Sequence, residues 1–146
     1  MKTIAEIQSE IRAEFSAFAS ADDKWKYLLR IAREHPGMDE KLKDEKFLVK
    51  GCAARMFLVP GFKDGVLVLN MDTEGGMENP LLSRGLGALA IRLYNGQKPS
   101  DILKADPAFF QDIGLNVGLS PTRANGFASL LKQIYLYAQV FAKMAG

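Results

Sequence analysis

The chain is poor in the residues that build cross-links and metal cages: its 146 residues include one cysteine and one histidine. A lone Cys52 excludes an intramolecular disulfide and any multi-cysteine zinc or iron–sulfur site. With only His35 to join it, no intrachain His/Cys cage can be assembled. No stretch approaches the roughly 18 consecutive apolar residues of a transmembrane helix, so no membrane partner is expected. An excess of one charge is also missing. Lys and Arg number 19 against 17 Asp and Glu, leaving +2, too even a balance for binding driven by phosphate neutralisation. Nucleic acid is therefore not an expected partner. The opening MKTIAEIQSE is charged and amphipathic without an apolar h-region, so no secretory signal is expected, and a free thiol fits a reducing, cytoplasmic setting. What the chain does have is 48% hydrophobic residues over the length of one domain, with no repeat or linker. The expectation is one domain, 1–146, burying about 68–70% of its unfolded surface.

Hydrophobic periodicity assigns the elements. Thr3 and Glu6 form a capping box, and Ile4, Ile7, Ile11, Phe15 and Phe18 at helical spacing predict a helix from about 3 to 20. Asp22-Asp23 opens a second helix that Pro36-Gly37 ends, and Met38 to Lys46 reads as a surface connection. Three apolar runs follow: Phe47–Val49, Met56–Val59 and Val66–Leu69, the last two joined by a turn from Pro60 to Gly65. They predict three antiparallel strands. TEGGMEN after Asp72 reads as a loop. From Pro80 a helix carries Leu86, Leu89, Ala90 and Leu93 and stops at Asn95-Gly96. Ser100 is expected to cap a short helix, Pro107 to open another, and Ser120 with Pro121 to start the last one. The fold class is α+β: a small three-stranded antiparallel sheet packed against several helices.

Cys52 is the first candidate for chemistry. It follows Gly51 in a turn, and Lys50 and Arg55 lie near enough in sequence to lower its thiol pKa. Against this stands the high frequency of buried, inert cysteines. A Cys52–His35 hydrolase would need the pair in hydrogen-bond reach, whereas a histidine just before a proline is accounted for by a helix end. Arg123 is the second candidate, because a cation in the first turn of a helix opposes the macrodipole and calls for a compensating carboxylate. Asn125-Gly126 within the same helix is a further poor local choice. Gly85-Leu86-Gly87 falls within a helical pattern and is no dinucleotide fingerprint. Asp72, Glu74 and Glu78 match no calcium-loop spacing, so no metal is expected. The Lys24, Lys26, Arg30 and Arg33 face reads as solvated.

Several segments together resemble one family. Val49-Lys50-Gly51-Cys52 followed by Arg55-Met56-Phe57-Leu58 resembles the cysteine loop and following strand of the SufE family. Asp72, Arg84 to Leu89, Tyr94 to Pro99, Asp106 to Phe110 and Leu119 to Gly126 continue in family order. The resemblance implies a single SufE-like domain. It also implies a sulfur acceptor that takes sulfane sulfur as a persulfide on Cys52 from a SufS-like, pyridoxal-phosphate-dependent cysteine desulfurase and stimulates that enzyme. The sulfur would pass to an iron–sulfur scaffold of SufBCD type. Such a protein is a carrier and activator rather than an independent enzyme, and holds no cofactor of its own. By position, Gly51, Asp72 and Arg123 would bind the partner or support the loop. Ala53-Ala54 stand where the family usually has Gln-Ser, and Phe57 where it commonly has Trp. The alternative is a regulatory module that docks on a desulfurase without carrying sulfur.

Overall fold

The computed structural model describes residues 2–51, 54–76 and 80–145. Cys52 and Ala53, and residues 77–79 of the expected TEGGMEN loop, lie outside them. Helix α1 (Ile4–Ser16) begins with the expected capping box: Thr3 Oγ1 accepts from the Glu6 N–H at 3.1 Å, and Glu6 Oε1 from the Thr3 N–H at 3.0 Å. It ends before residue 20 because Phe18 folds back onto Phe15 and Tyr27, with ring centroids 5.0 and 5.5 Å away. Helix α2 (Ala21–Glu34) follows. Its Lys24 is buried, contrary to the solvated face expected, with Nζ donating to the carbonyls of Gly114 (3.2 Å) and Val117.

Among the described residues the sheet has two strands, β1 (Ala54–Lys63) and β2 (Val66–Gly76), antiparallel, rather than three. The expected first strand is lost to a local competitor. Asp44 accepts from the Lys46 N–H at 3.0 Å and turns Glu45–Phe47 into a 3-10 helix. Only Leu48 and Val49 remain, and they form an isolated bridge to Phe57 and a hydrogen bond from the Val49 N–H to the Met56 carbonyl, 2.8 Å. The hairpin is longer than its apolar runs. Two-stranded ladders have only edge positions, which tolerate Pro60, so the turn shrinks to Asp64-Gly65, both at positive φ. At the other end β2 runs to Gly76, through the start of TEGGMEN. The outer edge of β2 is covered at Leu67, which exchanges backbone hydrogen bonds with Gly96 and Gln97.

Helix α3 (Pro80–Tyr94) is the centre of the core, packing on α2, β2 and β1. Its glycines permit that approach. A Cβ on Gly85 would stand 2.2 Å from the Leu28 carbonyl oxygen of α2, and one on Gly87 2.7 Å from the Met71 methyl. Arg84, beside Gly85, donates to the carbonyls of Ala32 (2.8 Å) and His35 (2.7 Å), satisfying the C-terminal end of α2. The imidazole of His35 bonds through Nε2 to the Met71 carbonyl at 2.7 Å. Helix α4 (Pro99–Lys104) starts one residue before the expected Ser100 cap, because Pro99 is preset for the first helical turn. Helix α5 (Phe109–Asp112) inserts Phe109 and Phe110, and helix α6 (Pro121–Ala145) closes the core with Phe127, Leu130, Ile134 and Ala138.

Two outcomes are expected. Gly85→Ala drives a methyl into backbone that has no room to move, so thermal unfolding should show a loss of about 2–3 kcal/mol. Burial lowers the folded pKa of His35 below the ordinary 6.5, with the nearby Arg84 charge adding to the effect. The unfolded chain therefore takes up the proton more readily than the folded one. That stability is complete above about pH 6.5 and is lost as pH falls from there through the folded value. His35→Gln, measured by chemical unfolding across this range, should flatten the dependence.

Candidate functional site

The hydrogen bond from Val49 to Met56 and the bridge from Leu48 to Phe57 close the base of a loop, residues 50–55, that contains Cys52. Gly51 lies in its first limb at φ +85°, a conformation that favours glycine, and a Cβ there would meet Ser129 Oγ of α6 at 3.3 Å. In the second limb Ala54 pairs with Gly76, and the register breaks between Ala54 and Arg55. Met56, just beyond, lines a cavity of about 10 Å³ with Ser83 and Leu86 of α3 and Arg123, Gly126 and Phe127 of α6. That is room for about one water, far short of a substrate pocket. The first half of α6 therefore flanks both limbs, with Ser129 against one and Arg123 beside the other.

Arg123 reaches this corner because Ser120 starts α6 as expected: Ser120 Oγ accepts from the Arg123 N–H at 3.2 Å. Its guanidinium Nε is buried. The cation that opposed its own helix dipole is thus turned inward, against the strand that leaves the loop.

Asp72 is held elsewhere. It pairs with Phe57 across the hairpin, and alternation along the strands puts Arg55, Phe57, Asp72 and Glu74 on one face, Met56, Leu58 and Met71 on the other. Its Oδ1 accepts from Arg84 and from the Thr73 N–H (2.8 Å), and its Oδ2 from the Met38 N–H and Lys43 Nζ, both 3.3 Å. Lys43 also reaches Glu40 at 2.8 Å. The stretch from Met38 to Lys46 is therefore no loose connection, but is tied down over Asp72 and leads directly into the loop.

The two cations expected to favour a thiolate are used differently. Arg55 pairs with Glu74 at 3.3 Å and Glu45 at 3.8 Å, which offsets its charge, whereas Lys50 is exposed. The bond between His35 and the Met71 carbonyl gives that histidine a structural task, joining α2 to β2. Ser129 and Lys43 carried no sequence signal, since each acts through a contact made only by folding. Arg84 stood in the Arg84–Leu89 segment, but its grip on Asp72 was not readable there.

The comparisons with known proteins extend over nearly all of this architecture. Residues 9–138 match the family model "SufE: Fe-S metabolism associated domain". An uncharacterized SufE-like protein of Synechocystis is 29% identical over 133 residues, covering 91% of this chain and 80% of the relative. The sulfur acceptor protein CsdE of Escherichia coli is 26% identical over 128 residues, covering 85% and 82%. The solution structure of a hypothetical protein from Thermus thermophilus shares the fold, with a TM-score of 0.76, 17% identity and coverage of 94% and 96%. The match of the family model from the middle of α1 to the last turns of α6 makes the assignment plain: the chain belongs to the SufE family.

Proposed function

We propose that the protein is a sulfur acceptor of iron–sulfur metabolism. It takes sulfane sulfur from a pyridoxal-phosphate-dependent cysteine desulfurase as a persulfide on Cys52, stimulates that enzyme, and delivers the sulfur to an iron–sulfur scaffold of SufBCD type. The observation that carries this reading is the pairing of Leu48 and Val49 with Phe57 and Met56, which brings together the chain on either side of its one thiol. Family membership and the relative named as a sulfur acceptor support it.

The chemistry asks little of the carrier. The Cys52 thiolate attacks the terminal sulfur of the donor's persulfide. A new S–S bond forms, the donor's S–S bond breaks, and the donor cysteine leaves as a thiolate. The transferred sulfur keeps its oxidation level, so no oxidant or reductant enters. The proton from the Cys52 thiol goes to solvent or to the departing thiolate. A second thiol nearby would attack the persulfide, and this chain has none. In this reading Gly51 lets the loop turn sharply against α6, Arg123 holds the outgoing strand and meets the partner, and Asp72 fixes the segment leading in.

Incubation with a cysteine desulfurase and cysteine should add one reducible sulfur to the intact protein, and Cys52→Ser should abolish the added mass in mass spectrometry. Stimulation of the desulfurase should vanish with it; stimulation that survives belongs to a regulator that carries nothing. The two supports should separate. Arg123→Ala is expected to leave the circular dichroism unchanged and to slow transfer about tenfold, a cost of about 1.4 kcal/mol. Asp72→Asn leaves the partly buried Arg84 without its carboxylate, whereas Lys43 keeps Glu40, and should instead lower stability by about 3 kcal/mol.

A further inference from the structure

Helix α6 is unusual in charge. Its 25 residues include Arg123, Lys132 and Lys143 and no acid, in a chain with 17 Asp and Glu. Beside the Cys52 loop, the Lys46–Lys50 segment and α6 enclose a groove of about 360 Å³, rimmed by Lys46, Lys50 and Lys132, with Ser129 and Leu136 in its wall. Among the described residues, none lining it is acidic. Among the described residues none of the three lysines joins an ion pair, and the neighbouring Glu45 is spent on Arg55 at 3.8 Å.

The groove continues as an apolar line. Leu136, Val140 and Met144 are 43%, 55% and 68% exposed and follow Lys132 at intervals of four, so all lie on one face of α6. The line extends about 18 Å from Lys132. The described surface exposes six large hydrophobics, and three of them are here. The opposite face of the helix is committed to the core through Leu130, Ile134 and Ala138.

We propose that this groove and line dock an acidic amphipathic segment of the desulfurase that loads Cys52. The partner's identity rests on the sulfur-acceptor reading, and its chemistry rests on the surface itself. Lysines outside any ion pair at a rim attract carboxylates and speed encounter, while the apolar line supplies the contact that lasts. A second copy of the chain fits poorly, since α6 offers its twin no acid. A bilayer fits poorly too, since the lysines enclose a concave groove. A segment seated here lies against Lys50, two residues from Cys52, and so tethers its enzyme at the loop.

The test measures binding to the cysteine desulfurase encoded in the same genome. The double variant Lys132→Glu/Leu136→Asp is compared with wild type and with Lys98→Glu, an exposed lysine at the start of α4. Circular dichroism checks the fold. The expected result is a Kd raised at least about tenfold, with a weaker salt dependence. Lys98→Glu should bind as wild type, and Cys52 should load normally at saturating enzyme. An unchanged Kd overturns the docking proposal while normal loading leaves the acceptor reading standing. An enzyme that neither binds nor loads overturns both. A change confined to self-association or to binding of anionic vesicles assigns the surface to another occupant and overturns it as well.

Discussion

A carboxylate whose side chain is only 10% exposed must have its oxygens matched, and the way Asp72 is matched organises this end of the molecule. Arg84 comes from α3, Lys43 and the Met38 amide from the connecting segment, and Thr73 from the strand itself. The same guanidinium takes two carbonyls at the end of α2, so one side chain joins two helices and the hairpin. Once the connecting segment is anchored, its last residues arrive beside Phe57 and Met56 and close the base of the loop. The loop's position thus follows from a charge that lies on the other face of the strand pair.

The two faces of the hairpin divide the work. One holds an electrostatic cluster of Arg55, Asp72 and Glu74 with their partners. The other packs Met56, Leu58 and Met71 against α3. Sulfur-containing side chains fill the space beside Gly87, where long, flexible thioethers adapt to a close helix approach. Helix α6 meets this apolar face near Met56 and places Ser129 beside Gly51. Packing and charge therefore converge from opposite sides on the described residues that flank Cys52.

Most of the helices could be read from the chain because their signals are local. The capping box at Thr3, the proline at 121 and the stop at Asn95-Gly96 each act within a few residues. The third strand misled because periodicity registers Phe47, Leu48 and Val49 as apolar but is blind to Asp44, whose side chain folds the preceding residues into a turn. Lys24 misled in the opposite sense: its charge suggested water, but two carbonyls more than 80 residues away accept its protons. Of the candidate site, the motif around Cys52 singled out that residue from sequence alone. The neighbours that define the site, Ser129 against Gly51 and Lys43 on Asp72, arise from long-range packing and leave no mark on local sequence.

The pinned base of the loop also sets a length scale. Cys52 stands three residues beyond Val49, and a fully extended chain spans at most about 3.3–3.6 Å per residue. Its backbone can therefore travel only about 10 Å from the hydrogen bond that anchors it, unless that bond breaks. In the proposed sulfur acceptor, so short an arm would not bridge two distant active sites by swinging between them. Each partner would have to come up to the same small region of surface in turn, so that occupancy by one would exclude the other, and the order of visits, rather than the motion of the arm, would give the traffic its direction.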